Sequence, residues 1–250
     1  MIRFIASALY LLLYLIITLP LELILFIIGK VNMPLRDKIG QACVKYGGFG
    51  VVTRLSGAKI IANGLENIPD NSACLFVGNH NSFFDVIISY TFFKRPTGYV
   101  AKKEFEKYPS LNAWMYFIRC LFIDRKDVKQ GMKTILKAVE YLKEGISIFV
   151  FPEGTRSKDG RMLPFKEGSM KMAEKSGCPI VPVAISNTAA MFEDHFPRIT
   201  PETVVFTFGK PIYVKDLEGE DKKHVGHYVQ NIIQDPLDNV NAPLLSDSGK

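Results

Sequence analysis

At 250 residues, 48% apolar and 22% charged, the chain is the size of one ordinary domain with apolar residues to spare, and its composition excludes disordered, collagen-like, disulfide-rich and coiled-coil classes. Its four cysteines (Cys43, Cys74, Cys120, Cys178) form no C-x-x-C pair and have no histidine beside them, so neither a disulfide framework nor a structural zinc is expected. The net charge of +6 is uneven: residues 102–175 hold 16 Lys and Arg against 10 Asp and Glu, and residues 176–250 hold 6 against 10. A basic centre suits anionic phosphates or lipid head groups, and equally a solvated surface.

Residues 4–29 contain one charge, Glu22, and one helix breaker, Pro20. The uninterrupted run 4–19 reaches roughly 24 Å, short of a hydrocarbon core of ~30 Å, whereas the whole segment, kinked at Pro20, reaches about 39 Å. No small-x-small cleavage site follows Gly29 and Lys30, which argues against a signal peptide. Residues 35–55 alternate charges such as Arg36 and Lys45 with apolar side chains, after a helix-starting Pro34. The expected arrangement is two helices, the first buried in lipid and the second amphipathic at the surface; the competing reading is a buried core helix. Basic residues after the first segment outnumber Arg3 before it, so a spanning helix would leave the body cytosolic.

Beyond Gly57, strand-like runs at Lys59–Ala62, Ala73–Val77, Gly98–Ala101, Leu121–Ile123, Ser147–Phe151, Ile180–Ile185 and Val204–Phe208 are separated by helix-like stretches. The clearest helix is Val128–Glu144, with Val128, Met132, Ile135, Leu136, Val139 and Leu142 on one face and Gly145 after it. Phe83–Phe93, Leu111–Arg119, Phe165–Lys175 and Lys222–Ile233 are the others. Alternation of this kind predicts an α/β sheet covered by helices. The regions expected are membrane-anchoring helices over 1–56, an α/β domain over 57–235, and a polar, frayed tail over 236–250.

Four histidines narrow the search for an acid–base group. His224 and His227 read as solvated and His195 as a loop residue, but His80 lies between the apolar strand ACLFVG and the helix FFDVIISY, where ligands collect in α/β sheets. Ser82 can cap that helix and Asp85 lies in its first turn. Five residues along a continuous helix turn through about 500°, so His80 and Asp85 meet only if His80 precedes the helix and folds back over it. A carboxylate on one ring nitrogen would leave the other as a base; a His that merely ends a strand is the alternative. With no G-x-S-x-G, His80 is expected to activate a substrate hydroxyl rather than a side chain.

Phe149–Ser157 (FVFPEGTRS) runs an apolar strand into a glycine turn with a hydroxyl and a guanidinium, a plausible phosphate cradle or an ordinary turn; no Walker sequence indicates nucleotide hydrolysis. Leu121–Arg125 ends a short strand in Asp124 and Arg125, following Lys102 and Lys103, and PIVPVAI (179–185) is a core strand. Lys129, Lys133 and Lys137 form a helical basic stripe that faces head groups or solvent.

In order and spacing, NHNSFFD (79–85), FIDR (122–125), FPEGTRS (151–157) and VPVAI (181–185) resemble the glycerolipid acyltransferase family, closest to the bacterial 1-acylglycerol-3-phosphate acyltransferases. FKEG (165–168) is similar too, and the resemblance covers residues 58 to about 212. It implies a mixed central sheet covered by helices, with His80 as general base on the sn-2 hydroxyl of lysophosphatidic acid and Asp85 orienting it. Attack on acyl-CoA or acyl-carrier protein would be direct, with no acyl-enzyme, no cofactor and no metal. Arg125, Glu153, Gly154, Thr155 and Arg156 would bind the glycerol phosphate, with Lys102 and Lys103 as weaker candidates. The partners implied are membrane phospholipids, lysophosphatidic acid and the acyl donor, not nucleic acid, at an inner or plasma membrane with the catalytic domain cytoplasmic. The sequence departs from the family in placing Cys120 before FIDR, and Leu111 or Asn112 after Pro109, where glycines are common. Another lysophospholipid or glycerol 3-phosphate is the runner-up acceptor. A His/Asp hydrolase and a non-enzymatic anionic-lipid-binding module are the competing classes.

Overall fold

Each of the seven apolar runs forms a strand: β1 (Lys59–Asn63), β2 (Leu75–Gly78), β3 (Thr97–Lys102), β4 (Leu121–Ile123), β5 (Ser147–Val150), β6 (Ile180–Ser186) and β7 (Thr203–Phe208). The computed structural model describes residues 1–157 and 161–247. The strands make one mixed sheet in the order β1-β7-β6-β2-β5-β3-β4. Strands β2 to β6 run parallel, β7 is antiparallel to β6, and β1 runs parallel to β7 in the register Lys59 opposite Thr203. The C-terminal ends of the five parallel strands therefore share one edge.

Period-two alternation divides the side chains between two apolar layers. Phe76, Phe149, Val181, Val183, Ile185, Val204, Phe206 and Phe208 enter one layer; Leu75, Val77, Ile148, Val150, Ile180 and Ala184 enter the other. The first face is covered by α1 (Ile2–Ile17), α2 (Leu19–Val31), α3 (Met33–Ala42), α4 (Gly50–Ser56), α5 (Phe83–Ser89) and α6 (Pro109–Phe117). The second carries α7 (Val128–Lys143) and α8 (Lys171–Ser176). Beyond β6 follow a single turn, α9 (Thr188–Met191), then α10 (Gly219–Lys223) and α11 (Val225–Asp247), the last packed on the second face. The sequence predicts helix across Phe165–Lys175, but only a 3-10 turn from Glu167 precedes α8.

Two further expectations change at the ends of the chain. Helix α11 continues to Asp247, well past the tail boundary expected after Asp235, because Val225, Val229, Ile233 and Leu237 recur at i,i+4 spacing and are buried against the sheet. The apolar N-terminal segment breaks at Thr18, with α1 and α2 meeting at 53°, and Pro20 occupies the first turn of α2, where its missing N–H costs nothing. Among the described residues no single helix is long and apolar enough to cross a membrane; the bent pair passes that test by length and composition only.

The following segment exposes Lys38, Ala42, Tyr46 and Arg54 on one face, as an amphipathic surface helix would, but packs its other face, charges included, into the domain. Helix α3 passes through a π-helical stretch, Cys43–Phe49, into α4, and Arg36 and Asp37 are buried. Asp37 accepts from Arg36 Nε at 2.9 Å and from Arg119 Nε at 2.7 Å. Arg119 precedes β4 with φ +60, and its carbonyl lies so close to Gly98 that a Cβ there would come within 2.0 Å. The pair joins the N-terminal helices to the amino end of β4, the strand that Arg125 follows.

Candidate active site

The end of β2 sets the site. After Gly78, Asn79 is buried and locks onto β6, donating to the Ile185 carbonyl and accepting from its N–H, both at 2.8 Å. This pins the next residue, His80, over the sheet edge. Ser82 caps α5 by accepting from Phe84 N–H at 3.0 Å, and the Asp85 carboxylate folds back along the entering chain. Its Oδ2 accepts from His80 Nδ1 at 2.8 Å, Asn81 N–H at 2.7 Å and Ser82 N–H at 2.8 Å. The histidine precedes the helix and bends over its first turn, as the spacing required.

Asp85 is wholly buried, so every unshared lone pair would be costly. Its remaining oxygen, Oδ1, accepts from Thr188 Oγ1 at 2.5 Å, from the turn that follows β6. The carboxylate on Nδ1 fixes the tautomer with the proton on that nitrogen and leaves the Nε2 lone pair outward. Nε2 has no hydrogen-bond partner among the described residues. The Phe151 ring stacks on the imidazole with centroids 4.1 Å apart, closing one side of it to water.

The glycine turn after β5 braces this arrangement. Glu153, expected to help bind phosphate, instead turns inward: Oε1 accepts from His80 N–H at 2.6 Å and Oε2 from Leu163 N–H at 2.8 Å. Burial pushes its carboxyl above the usual range, opposed by these two backbone donors and by His80. Ser157 N–H completes the brace by donating to the His80 carbonyl at 2.9 Å. Gly154 has φ +75, and a side chain there would strike Lys166 Nζ. Thr155 is exposed beside it.

Arg156 lies over the Phe83 ring at 4.1 Å and donates to Glu193 Oε1 at 2.6 Å. The same oxygen accepts from Phe83 N–H at 2.9 Å, while Glu193 Oε2 is buried without a donor. Arg125, two residues beyond β4, is exposed and has no hydrogen bond or ion pair among the described residues. Lys102 ends β3 exposed, and Lys103 stands 3.7 Å from Asp124. All the expected residues thus lie at or near the carboxyl edge of the sheet, and His80, Asp85 and Glu153 are in direct contact. Thr188, Glu193, Asn79 and Phe151 are the additions that sequence reasoning missed. Asn79 and Phe151 sat inside recognised blocks, but nothing local distinguishes Thr188 or Glu193. Among the described residues no group of three His, Cys, Asp or Glu side chains is arranged to hold a metal ion.

A nitrogen base oriented by a buried carboxylate, beside a guanidinium, is suited to deprotonating a hydroxyl on an anionic acceptor. A family profile described as Acyltransferase matches residues 59–186, just over half of the chain, and the chain belongs to that family. It is similar to proteins named 1-acyl-sn-glycerol-3-phosphate acyltransferase. That of Borreliella burgdorferi is 33% identical over 174 residues, 70% of this chain and 64% of the relative. That of Cocos nucifera is 30% identical over 179 residues, 70% and 58%, and that of Salmonella typhimurium 32% identical over 142 residues, 56% and 58%. The chain therefore spans about three fifths of the length of these relatives. Its structure is similar to the crystal structure of the 1-acyl-sn-glycerophosphate (LPA) acyltransferase PlsC from Thermotoga maritima, with a TM-score of 0.66 and 26% identity over 91% of this chain and 97% of that one.

Proposed function

We propose that this protein transfers an acyl group from a thioester to the sn-2 hydroxyl of 1-acylglycerol 3-phosphate, giving phosphatidic acid. The observation that carries the reading is the His80–Asp85 pair, with Nε2 free at the sheet edge that also holds Arg156. His80 Nε2 takes the hydroxyl proton as the oxygen attacks the thioester carbonyl. The carbonyl π bond opens to a tetrahedral oxyanion, which collapses with loss of thiolate, and the imidazolium returns its proton to that sulfur. Asp85 stabilises the imidazolium between the two transfers. The donor is acyl-CoA or acyl-carrier protein, and no residue of the chain is acylated.

Arg125, Arg156, Gly154 and Thr155 hold the acceptor's phosphate, with Lys102 and Lys103 adding charge at the rim, while Glu153 sets the backbone at His80. The exposed apolar side chains of α1 and α2, among them Ile5, Leu9, Leu12, Leu23 and Phe26, fit a role in holding the protein at the cytoplasmic face of a membrane. The lysolipid's tail then stays in the bilayer while its hydroxyl reaches His80. The test is thiol release from palmitoyl-CoA with lysophosphatidic acid in bilayers, wild type against His80→Ala. Acceptor-dependent release lost by a factor of about 10²–10⁴ in the variant supports the reading. Release independent of acceptor marks a thioesterase and overturns it.

A further inference from the structure

Glu193 has no role in moving the proton or the acyl group, yet three parts of the site meet on it. Its Oε1 accepts from Arg156 Nη1 at 2.6 Å and from the Phe83 N–H at 2.9 Å. Phe83 opens α5, the helix whose first turn carries Asp85, and the Arg156 guanidinium lies over its ring at 4.1 Å. The backbone beside Arg156 is tied to the reacting histidine, because Ser157 N–H donates to the His80 carbonyl at 2.9 Å. Guanidinium, carboxylate and ring therefore form one cluster next to His80.

The carboxylate is held from behind. Phe192, the residue before it, is buried and packs against Phe84 of α5 and Phe4 of α1, with ring centroids 5.8 Å apart in both pairs. Thr188, on the same connection, is fixed by its bond to Asp85. Glu193 Oε2 lies buried with no donor. A carboxylate oxygen stripped of water without a replacement bond destabilises the fold, so its placement answers to something other than stability.

An arginine on its flexible stem samples many rotamers in water, and ordering it when a phosphate arrives weakens binding. Here the ordering is done beforehand: the Phe83 ring holds one side of the guanidinium and Glu193 holds one corner, Nη1. We propose that Glu193 is a positioning residue for the acceptor, holding Arg156 so that the rest of its N–H fork meets the phosphate monoester of the lysolipid. The inference rests on the acyl-transfer reading and adds the residue that places its acceptor's phosphate. Glu193 keeps its place when the phosphate binds, because the Phe83 N–H still donates to Oε1.

The test is steady-state kinetics with palmitoyl-CoA and detergent-dispersed lysophosphatidic acid for wild type, Glu193→Leu, Glu193→Gln, Arg156→Met and the double variant Arg156→Met/Glu193→Leu. Binding of a soluble short-chain lysophosphatidic acid is measured alongside by titration calorimetry. Glu193→Leu should raise the acceptor KM roughly tenfold, with kcat and the donor KM within about threefold. Glu193→Gln keeps an acceptor for both N–H donors and should recover most of that loss. In the Arg156→Met background the leucine substitution should change the acceptor KM by less than about twofold, since the group it positions is gone. A full further loss in that background overturns the proposal, as does a glutamine variant as poor as the leucine one. So does a fall in kcat with acceptor KM unchanged, which would put Glu193 in the service of the His80–Asp85 pair. A wild type that transfers no acyl group, yet binds lysophosphatidic acid more tightly than Glu193→Leu does, sinks the acyl-transfer reading alone. One that transfers, with an acceptor KM that Glu193→Leu leaves unchanged, sinks the positioning alone.

Discussion

Replacing Thr188 by valine keeps the side chain's shape and removes one hydroxyl from a site where both partners are buried. Asp85 Oδ1 then loses its donor, and no water has access to replace it. A hydrogen bond to a charged group contributes about 1.5–3 kcal/mol net. If the whole loss fell on the transition state, the rate would drop about 10- to 150-fold, taking 1.36 kcal/mol per decade. Part falls on folding instead: for a chain of this size about 2 kcal/mol corresponds to a Tm lower by roughly 4 °C. The expected outcome is kcat reduced about tenfold with acceptor KM unchanged, because Thr188 meets Asp85 rather than the acceptor. Thr188→Ser should restore kcat, since it returns the donor. Steady-state kinetics with a melting curve on the same preparations decides the matter. A lowered Tm with wild-type kcat, or a serine variant as slow as the valine one, would refute the idea that this hydroxyl orients the pair.

Three other perturbations follow from geometry already described. Gly98→Ala drives a methyl against the Arg119 carbonyl, a backbone atom that cannot swing aside; about 3 kcal/mol of overpacking should lower Tm by roughly 6 °C in a thermal melt. Glu153 has its carboxyl raised by burial, so the folded state holds its proton more tightly than the unfolded chain. Its contribution to stability is greatest below the usual carboxylate range and declines as pH rises toward the raised folded value. In Glu153→Gln that downward slope in Tm against pH should vanish, and an unchanged slope would assign it to other groups. Leu9→Glu with Leu23→Glu removes two exposed apolar side chains, each worth about 1.5–3 kcal/mol when buried. Vesicle sedimentation should show at least a hundredfold weaker partitioning, with activity on detergent-dispersed acceptor retained.

What the sequence disclosed was what local pattern encodes. The strands are short apolar runs bounded by glycine, proline and charged residues, and α7 shows its 3.6-residue period directly. The His80–Asp85 contact was legible because both residues lie in one strand-to-helix turn. Thr188 lies 103 residues beyond Asp85, and Glu193 lies 110 beyond Phe83, so only the sheet order brings them in. Arg36 looked like a solvent-facing charge for the same reason: Arg119, which shares its carboxylate partner Asp37, lies 82 residues beyond that aspartate. Glu153 misled in another way. Its block suggested a role toward phosphate, but a carboxylate with two backbone donors inside the fold holds structure instead.

The pairing of β1 with β7 has a consequence for the order in which the molecule comes into being. On a growing chain the apolar α1–α2 segment emerges before the sheet, and β1 emerges long before the strand beside which it finally lies. Asp85 likewise waits for Thr188 and the Phe83 amide for Glu193, so the surroundings of the His80–Asp85 pair are complete only after most of the sheet has been synthesised. A nascent chain therefore carries its apolar N-terminal helices well before the His80–Asp85 contact has its full set of partners.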